Sequence, residues 1–231
     1  MPTSATNRES TVAVLYSGGL DSAILLSHLL QQGHRVQPLY VACGLAWQQA
    51  EARWAERYVQ AIDDPRMEPL VVLSLPLADL YGDHWSITGC DVPMADDPDE
   101  MVYLPGHNPL LLVKADVWCR LNDVPQLALG ALATNPFADS SDAFFAAFAA
   151  TMQQAVAGHV ELIRPLSDKD KVQVLQLGRD APLGLTFSCL SPHRDQHCGM
   201  CNKCAERQGA FRKASMPDPT TYAPHSPPVV H

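Results

Sequence analysis

The stretch Ser17-Gly18-Gly19-Leu20-Asp21-Ser22 directly follows a short apolar run, Thr11 to Tyr16. The apolar run predicts a buried strand of a parallel sheet, and the spacing of apolar residues from Ser22 to Gln32 predicts a helix. A glycine turn between a strand and a helix N-terminus is typical of phosphate sites, because the missing Cβ atoms let backbone N–H groups close around an anion. The stretch therefore predicts a phosphate site at one end of a sheet.

The side chains of this turn suit a nucleotide. Ser17 and Ser22 supply hydroxyl donors, and Asp21 brings a carboxylate that orients Mg²⁺ or caps the helix. The turn matches neither the Gly-x-x-x-x-Gly-Lys-Ser/Thr loop nor the Gly-x-Gly-x-x-Gly motif. It resembles the pyrophosphate loop of the N-type ATP pyrophosphatases, which cleave ATP between its α- and β-phosphates. The resemblance implies an ATP site made of Tyr16, Ser17, Gly18, Gly19, Leu20, Asp21 and Ser22, and an ordinary tight turn is the alternative.

Length and charge limit the class of protein. With 231 residues, of which 47% are hydrophobic, the chain is long enough for one sizeable core. The net charge is −9 and no stripe of lysine and arginine is visible, which counts against a nucleic-acid partner. No apolar run approaches the roughly 18 residues of a membrane-spanning helix, and Met1 to Ser10 lacks the apolar core of a signal peptide. We therefore expect a small-molecule enzyme in the cytoplasm.

Four of the seven cysteines crowd near the C-terminus, separated in turn by eight, two and two residues. Cys189, Cys198, Cys201 and Cys204 offer four thiolates, the ligand set of a closed Zn²⁺ site without a position for water. In a reducing compartment such a cluster favours metal binding over disulfides. We expect structural zinc that holds the C-terminal segment on the core. An iron–sulfur cluster and two reduced pairs without metal are the alternatives.

Short apolar strands alternate with longer amphipathic helices. The pattern predicts further strands at 36–42, 70–73, 127–129 and 160–163, and further helices at 47–62, 108–121, 141–156 and 169–177. Such alternation is typical of a parallel sheet with helices on both faces. With the nucleotide turn, it predicts an α/β fold. We expect a single parallel-sheet domain of the adenine-nucleotide alpha-hydrolase-like, Rossmann-like kind, with a small C-terminal zinc subdomain built on the four cysteines.

Composition divides the chain into four segments. A polar, flexible tail is expected at 1–10 and a proline-rich tail at 217–231. Between them we expect the ATP-binding α/β domain at 11–186, and the zinc-binding segment with a terminal helix at 187–216.

The nucleotide turn and the cysteine cluster occur together in the 7-cyano-7-deazaguanine synthases, which the chain resembles through most of its length. Five segments carry the resemblance in order: 14–22 as the nucleotide loop, 103–108 as the Pro-x-Arg-Asn turn, 165–171 as the Pro-Leu and lysine segment, 189–204 as the zinc site and 218–222 as the C-terminal signature. The resemblance implies that ATP and Mg²⁺ are used to convert 7-carboxy-7-deazaguanine and ammonia to the nitrile, through an acyl adenylate and an amide. It also implies a homodimer, with Asp21 and Lys171 as catalytic residues at the phosphates. A solvated helix lysine is the alternative for Lys171.

Three segments depart from the family pattern. Cys43-Gly44-Leu45 stands where Tyr-Gly-Gln is usual, and 135–144 lacks the tyrosine and the arginine of its counterpart. His107 replaces the arginine of the Pro-x-Arg-Asn turn, so an always-charged anion contact becomes titratable. The residues expected to bind the substrate are His107, Asn108, Asp139, Ser140 and Asp142.

Three other functions compete with a nitrile-forming ligase. A divergent relative would adenylate a 7-deazaguanine or another carboxylate and either stop at the amide or use a different amine. A tRNA-modifying enzyme of the same ATP-loop superfamily is the alternative of another class, although the net charge of −9 counts against it. A nucleotide sensor without activity is disfavoured, because Asp21 and both serines of the turn are present.

Overall fold

Five parallel strands form the central sheet of the computed structural model, which describes residues 11–224. The strands are β1 (Thr11–Leu15), β2 (Arg35–Ala42), β3 (Val71–Ser74), β4 (Gln126–Ala128) and β5 (Glu161–Ile163). They lie in the order β3-β2-β1-β4-β5, and each neighbouring pair is parallel. The predicted α/β fold is thereby confirmed. The predicted tail at 1–10 and the end of the proline-rich tail, 225–231, lie outside the described residues.

Eight α-helices connect and flank the strands in this part of the chain. They are α1 (Leu20–Gln31), α2 (Gln48–Ala61), α3 (Ala78–Tyr81), α4 (Trp85–Thr88), α5 (His107–Leu121), α6 (Asp142–Ala155), α7 (Lys171–Leu177) and α8 (Asn202–Lys213). The long helices lie close to the predicted bounds. The one-turn helices α3 and α4 were not predicted, because one turn is too short to show a helical repeat. None of the described helices is long and apolar enough to cross a membrane.

Helices cover both faces of the sheet, as a buried parallel sheet requires. Successive side chains of β1 point to opposite faces. Val12 and Val14 join one core with residues of α1, α2, α7 and α8, whereas Ala13 joins a second core with residues of α5 and α6. All three side chains are fully buried. The unbroken apolar run before the nucleotide turn therefore reflects burial on both faces.

The strand order reverses at β1, and this reversal creates a crevice for a ligand. The chain passes from β1 through β2 to β3 on one side and then crosses to β4 and β5 on the other. In such sheets the ligand site lies beyond the carboxyl ends of the strands at the reversal. The turn at Ser17 follows β1, and Gly130 closely follows β4. A Cβ on Gly130 would lie 3.2 Å from the carbonyl carbon of Asp21, so glycine lets the segment after β4 approach the start of α1.

One buried arginine joins α8 to the chain segments before and after it. Arg207, in α8, is 2% exposed and donates hydrogen bonds to Thr186 Oγ1, the Leu183 carbonyl oxygen and Thr220 Oγ1. The Asp218 carboxylate lies 3.7 Å from the same guanidinium group. A buried charge with these partners is satisfied, and its contacts fix where α8 lies.

Gly178, directly after α7, has no room for a side chain against α1. A Cβ there would lie 2.7 Å from Ile24 Cδ1 and 2.9 Å from Ile24 Cγ2, and Ile24 is fully buried. We predict that Gly178→Ala lowers the free energy of unfolding by about 1–3 kcal/mol, because overpacking displaces the two helices. The measurement is denaturant unfolding.

Gly209→Ala in α8 is the matched control. Its Cβ would meet nothing closer than 4.0 Å, and alanine favours a helix interior, so this variant should be as stable as the unmodified protein or more so. Equal stability of Gly178→Ala and the unmodified protein would contradict the close packing of α7 on α1.

Candidate functional site

The Ser-Gly-Gly turn is held in shape by its two serines and by the C-terminal segment. The hydroxyl oxygens of Ser17 and Ser22 lie 3.2 Å apart, and Ser22 Oγ donates to the Gly19 carbonyl oxygen at 3.2 Å. Gly18 has a φ of +80°, a left-handed conformation that favours glycine. Its carbonyl oxygen accepts a 2.7 Å hydrogen bond from the Phe187 amide. These contacts fix the conformation of the turn. They do not use the first backbone N–H groups of α1, which remain available at the crevice.

The start of α1 offers unpaired backbone donors. Gly19 is the N-cap residue, and no side chain of the described residues caps the helix there. Residues 19–22 line the crevice, and of their N–H groups that of Gly19 already donates to Ser17 Oγ at 3.4 Å. Unpaired N–H groups and the positive end of the helix dipole both favour an anion at this position. The geometry fits the phosphate site predicted from the sequence.

A row of ion pairs runs from this turn to α8. The ammonium group of Lys171 lies 2.7 Å from Asp21 Oδ2 and 3.1 Å from Glu206 Oε1, and Lys203 Nζ lies 2.8 Å from Glu206 Oε2. Burial alone would lower the pKa of Lys171, but Asp21 and Glu206 raise it to about 12. Burial alone would raise the pKa of Glu206, but the two lysines lower it to about 2. Lys171 and Glu206 are therefore both charged at neutral pH.

Asp21 has one carboxylate oxygen that lacks a protein partner. Its Oδ1 is buried and accepts no hydrogen bond from the residues that the structure describes. Such an oxygen is costly to bury unless a ligand satisfies it. Mg²⁺ prefers carboxylate and phosphate oxygens, so the residues present fit a magnesium ion held by Asp21 beside a phosphate.

The crevice is a cleft of about 380 Å³ beyond the carboxyl ends of β1 and β4. It brings together predicted site residues that are far apart in the chain: Ser17, Gly19, Leu20, Asp21, Ser22, His107, Asn108, Ser140 and Lys171. Asn108 Nδ2 donates to Ser140 Oγ at 3.2 Å, which joins the start of α5 to the segment before α6. The cleft thus has a phosphate side at the turn and a second, polar side at α5.

Four of the residues predicted to bind ATP or substrate lie outside the lining of this cleft, and one of them, Gly18, belongs to the turn described above. The carboxylate of Asp142 pairs with Arg164 Nη2 at 2.7 Å, with the Asp142 side chain 90% exposed. Asp139 is buried, and its Oδ1 has no partner among the described residues. Tyr16 is buried behind the turn and donates to the Ala55 carbonyl oxygen at 3.3 Å. Their roles in binding substrate or ATP stay predictions.

His107 brings a neutral side chain to the cleft. Burial lowers its pKa to about 4, so the imidazole is uncharged at neutral pH. Its Nδ1 is buried and has no hydrogen-bond partner within residues 11–224. The cleft therefore offers a hydrogen-bonding imidazole where the family pattern has a permanent positive charge.

A smaller pocket of about 100 Å³ beside the turn was missed by the sequence reasoning. Its wall includes Glu51, which accepts hydrogen bonds from the Tyr40 hydroxyl at 2.7 Å and from Trp47 Nε1 at 3.3 Å. Burial raises the pKa of Glu51 to about 7, although both hydrogen bonds act to lower it. The one signal in the sequence is the four-residue spacing of Trp47 and Glu51, which places both on the same side of α2.

The four cysteines predicted to bind metal lie together. Their Sγ atoms are all within 4.8 Å of one another, with Cys198 and Cys204 at 3.9 Å and Cys189 and Cys201 at 4.0 Å. Tetrahedral zinc with Zn–S bonds of about 2.3 Å needs sulfur separations of about 3.8 Å. The backbone N–H groups of Met200 and Cys201 also point at Cys198 Sγ, at 3.4 and 3.3 Å, which favours a thiolate. The cluster therefore fits zinc.

The cysteine cluster sets the start of α8. Cys201 is the N-cap residue of this helix and Cys204 lies in its first turn. Both are buried in an apolar cluster with Trp47 and Phe187. The cluster therefore determines where the next residues of α8, which reach the cleft, are placed.

The sheet, the phosphate turn and the cysteine cluster define an α/β protein of the nucleotide-binding kind with a cysteine cluster that fits a metal ion. The family model described as queuosine biosynthesis protein QueC matches residues 11–215, and the chain belongs to this family. The 7-cyano-7-deazaguanine synthase of Solidesulfovibrio magneticus is 29% identical, over 95% of this chain and 98% of the relative. That of Methanothrix thermoacetophila is 30% identical, over 90% of this chain and 96% of the relative. The resemblance inferred from the motifs is confirmed.

Among solved structures, a predicted subunit of a tRNA methyltransferase from Methanocaldococcus jannaschii superposes with a TM-score of 0.49 at 15% identity, over 74% of each chain. A likeness of this size carries no argument about function.

Cys201→Ser tests the cysteine cluster as a metal site. We predict that the unmodified protein, purified under reducing conditions, holds about one Zn²⁺ per chain and that the variant loses it. The variant should also melt at a lower temperature, because metal binding contributes folding free energy. Elemental analysis and a melting curve are the measurements.

Cys90→Ser is the control, because this thiol is exposed and lies outside the cluster. Full metal content and an unchanged melting temperature in Cys201→Ser would show that the cysteines are ordinary buried thiols.

Proposed function

We propose that this protein is an ATP-dependent carbon–nitrogen ligase that converts 7-carboxy-7-deazaguanine and ammonia to 7-cyano-7-deazaguanine. The observation that carries the proposal is the Ser-Gly-Gly turn, which faces the cleft beside the pair of Asp21 and Lys171 in a member of the QueC family. Relatives that match over nearly their whole length bear the name of this activity.

The first step activates the acid. A carboxylate is a poor electrophile, and its attack on the α-phosphate of ATP forms an acyl adenylate and releases pyrophosphate. This step needs stabilisation of charge on the leaving pyrophosphate more than it needs a protein nucleophile. The N–H groups of residues 19–22 and the ammonium group of Lys171 provide positive charge at that position. Ammonia then displaces AMP to give the amide, and a second activation, at the amide oxygen, leads to the nitrile.

In this mechanism the two carboxylate oxygens of Asp21 have different roles. Oδ2 is held by Lys171 at 2.7 Å, and Oδ1, which has no partner among the described residues, would hold Mg²⁺. When bound, Mg²⁺ neutralises negative charge on the phosphates. Asp21 would thereby keep both Lys171 and the metal beside the nucleotide.

Zinc on Cys189, Cys198, Cys201 and Cys204 has a structural role in the same proposal, since four thiolates leave no position for substrate. It would hold the segment at 187–216 on the ATP-binding domain at 11–186. The homodimer, the cytoplasmic location and the lack of a nucleic-acid partner, which the sequence led us to expect, belong to the proposal as well.

A second candidate is a relative that stops at the amide or uses a different amine. The neutral His107 favours it, because this part of the cleft lacks the permanent positive charge of the family pattern. The stretch 135–144 also lacks the tyrosine and arginine of its counterpart. These differences concern the acid and the amine and leave the ATP chemistry at the turn unchanged.

Product analysis separates the two candidates. The protein is incubated with ATP, Mg²⁺, 7-carboxy-7-deazaguanine and ammonium, and AMP and the deazaguanine products are followed by mass spectrometry. The proposal predicts the nitrile, with one AMP released for the amide and a second for its conversion. Amide with a single AMP would support the second candidate. A lack of AMP with this acid would contradict the proposal and point to a relative that uses another carboxylate.

Two variants complete this assay. Asp21→Asn should lower AMP formation by roughly 100-fold or more while zinc content stays unchanged, because the neutral amide loses its hold on both Lys171 and Mg²⁺. Asp180→Asn, at a carboxylate with 82% side-chain exposure, should leave turnover unchanged. Unaltered turnover in Asp21→Asn would remove this residue from the mechanism.

A further inference from the structure

The first turns of α8 bring two charged side chains to the cleft that the mechanism above does not use. Lys203 and Glu206 line the cleft on the same wall as Lys171. They flank Cys204 in the sequence, so the cysteine cluster determines where they lie. Lys203 lies between two of the cysteines of the predicted zinc site and Glu206 follows the last of them, but the sequence analysis gave neither residue a role.

Glu206 holds together two ammonium groups that would otherwise repel each other. Its Oε1 lies 3.1 Å from Lys171 Nζ and its Oε2 lies 2.8 Å from Lys203 Nζ. Asp21 Oδ2 holds Lys171 from the other side, at 2.7 Å. These four side chains reach from the Ser-Gly-Gly turn to α8.

We propose that Lys203 is a second phosphate-binding cation of the cleft, and that Glu206 is a positioning residue that keeps the ammonium groups of Lys171 and Lys203 beside the Ser-Gly-Gly turn. The inference rests on the proposed function, because it takes the triphosphate of ATP as the ligand. It deepens that function by giving α8 a direct part in binding the nucleotide.

The charge balance of the cleft favours a second cation. A triphosphate brings several negative charges, whereas Asp21 and Glu206 already neutralise much of the charge of Lys171. Among the described residues Lys203 pairs with Glu206 alone, so its ammonium group keeps further N–H donors for an anion.

Arg207 also lines the cleft, but its guanidinium group serves the fold. It donates to Thr186 Oγ1 at 2.7 Å and to the Leu183 carbonyl oxygen at 2.9 Å, and the side chain is buried. Of the two cations of α8 that line the cleft, Lys203 is therefore the one available to a ligand.

The position of α8 in the fold indicates that Lys203 contacts the triphosphate and not the acid. Residues of α7 and α8 pack in the same core as α1, whose N-terminus forms the phosphate side of the cleft. The predicted substrate residues His107 and Asn108 start α5, which packs on the opposite face of the sheet. Lys203 thus lies on the phosphate side.

Binding of inorganic pyrophosphate tests Lys203 without requiring turnover. Dissociation constants for pyrophosphate with Mg²⁺ and for AMP are measured by titration calorimetry on the full chain. Lys203→Gln should weaken pyrophosphate binding on the order of tenfold, as expected for a lost charge-assisted hydrogen bond, and leave AMP binding unchanged. Lys213→Gln, at an exposed lysine in the last turn of the same helix, is the control and should change neither. Zinc content is measured for each variant, because Lys203 adjoins Cys204.

Glu206→Gln tests whether Glu206 acts by positioning the two lysines or only by its negative charge. Removal of a negative charge would by itself strengthen anion binding, whereas loss of positioning weakens it, because the two lysines move apart. We expect weaker pyrophosphate binding, and a smaller effect of the same change in a Lys203→Gln background, since the two residues act together. An ion pair that only stabilised α8 would lower the melting temperature and leave both dissociation constants unchanged.

The outcomes distinguish this inference from the proposed function. Pyrophosphate binding that Lys203→Gln leaves unchanged would overturn the role of Lys203 and leave the ligase proposal standing. Tighter binding by Glu206→Gln would overturn its positioning role. A lack of pyrophosphate binding by the unmodified protein would overturn the proposed function and the inference together.

Discussion

The ion pair between Asp21 and Lys171 joins the two halves of this site, although the residues lie 150 positions apart in the chain. Each of them stands in the first turn of a helix, α1 or α7, and the positive ends of two helix dipoles meet there. A carboxylate between them stabilises both ends and the lysine as well. The carboxylate therefore offsets repulsion among the positive charges that the crevice gathers for a phosphate.

The cysteine cluster extends the same arrangement to the C-terminal segment. It fixes the start of α8, and α8 carries Glu206, whose carboxylate pairs with Lys171 at 3.1 Å. The Phe187 amide, just before Cys189, bonds to the Gly18 carbonyl oxygen of the turn. A metal on these cysteines would therefore act on the nucleotide site through structure, by holding two walls of one cleft together.

The sequence predicted the parts of the site that are local in the chain. The Ser-Gly-Gly turn and the cysteine cluster are short motifs whose residue types and spacing carry their chemistry, and parallel strands follow from unbroken apolar runs. Lys203 and Glu206 could not be predicted, because charged residues on a helix have the same pattern as a solvated face. Their role depends on a partner far away in the chain.

The stretch before α6 shows a second limit of prediction from sequence. Asp139, Ser140 and Asp142 were predicted to bind substrate, and the polar residue among them that was not predicted, Ser141, serves the helix start. Ser141 is the N-cap residue of α6 and accepts a hydrogen bond from the Phe144 amide at 3.2 Å. Asp142 then points outward to pair with Arg164. Capping and ligand binding use the same residue types, so the sequence alone does not separate them.

A crystal structure of the protein with Mg²⁺ and a non-hydrolysable ATP analogue tests the central claim most directly. The account predicts that the β- and γ-phosphates lie within hydrogen-bonding distance, about 2.7–3.2 Å, of the backbone N–H groups of residues 19–22. A triphosphate bound away from this turn, with the turn amides facing solvent, would contradict it.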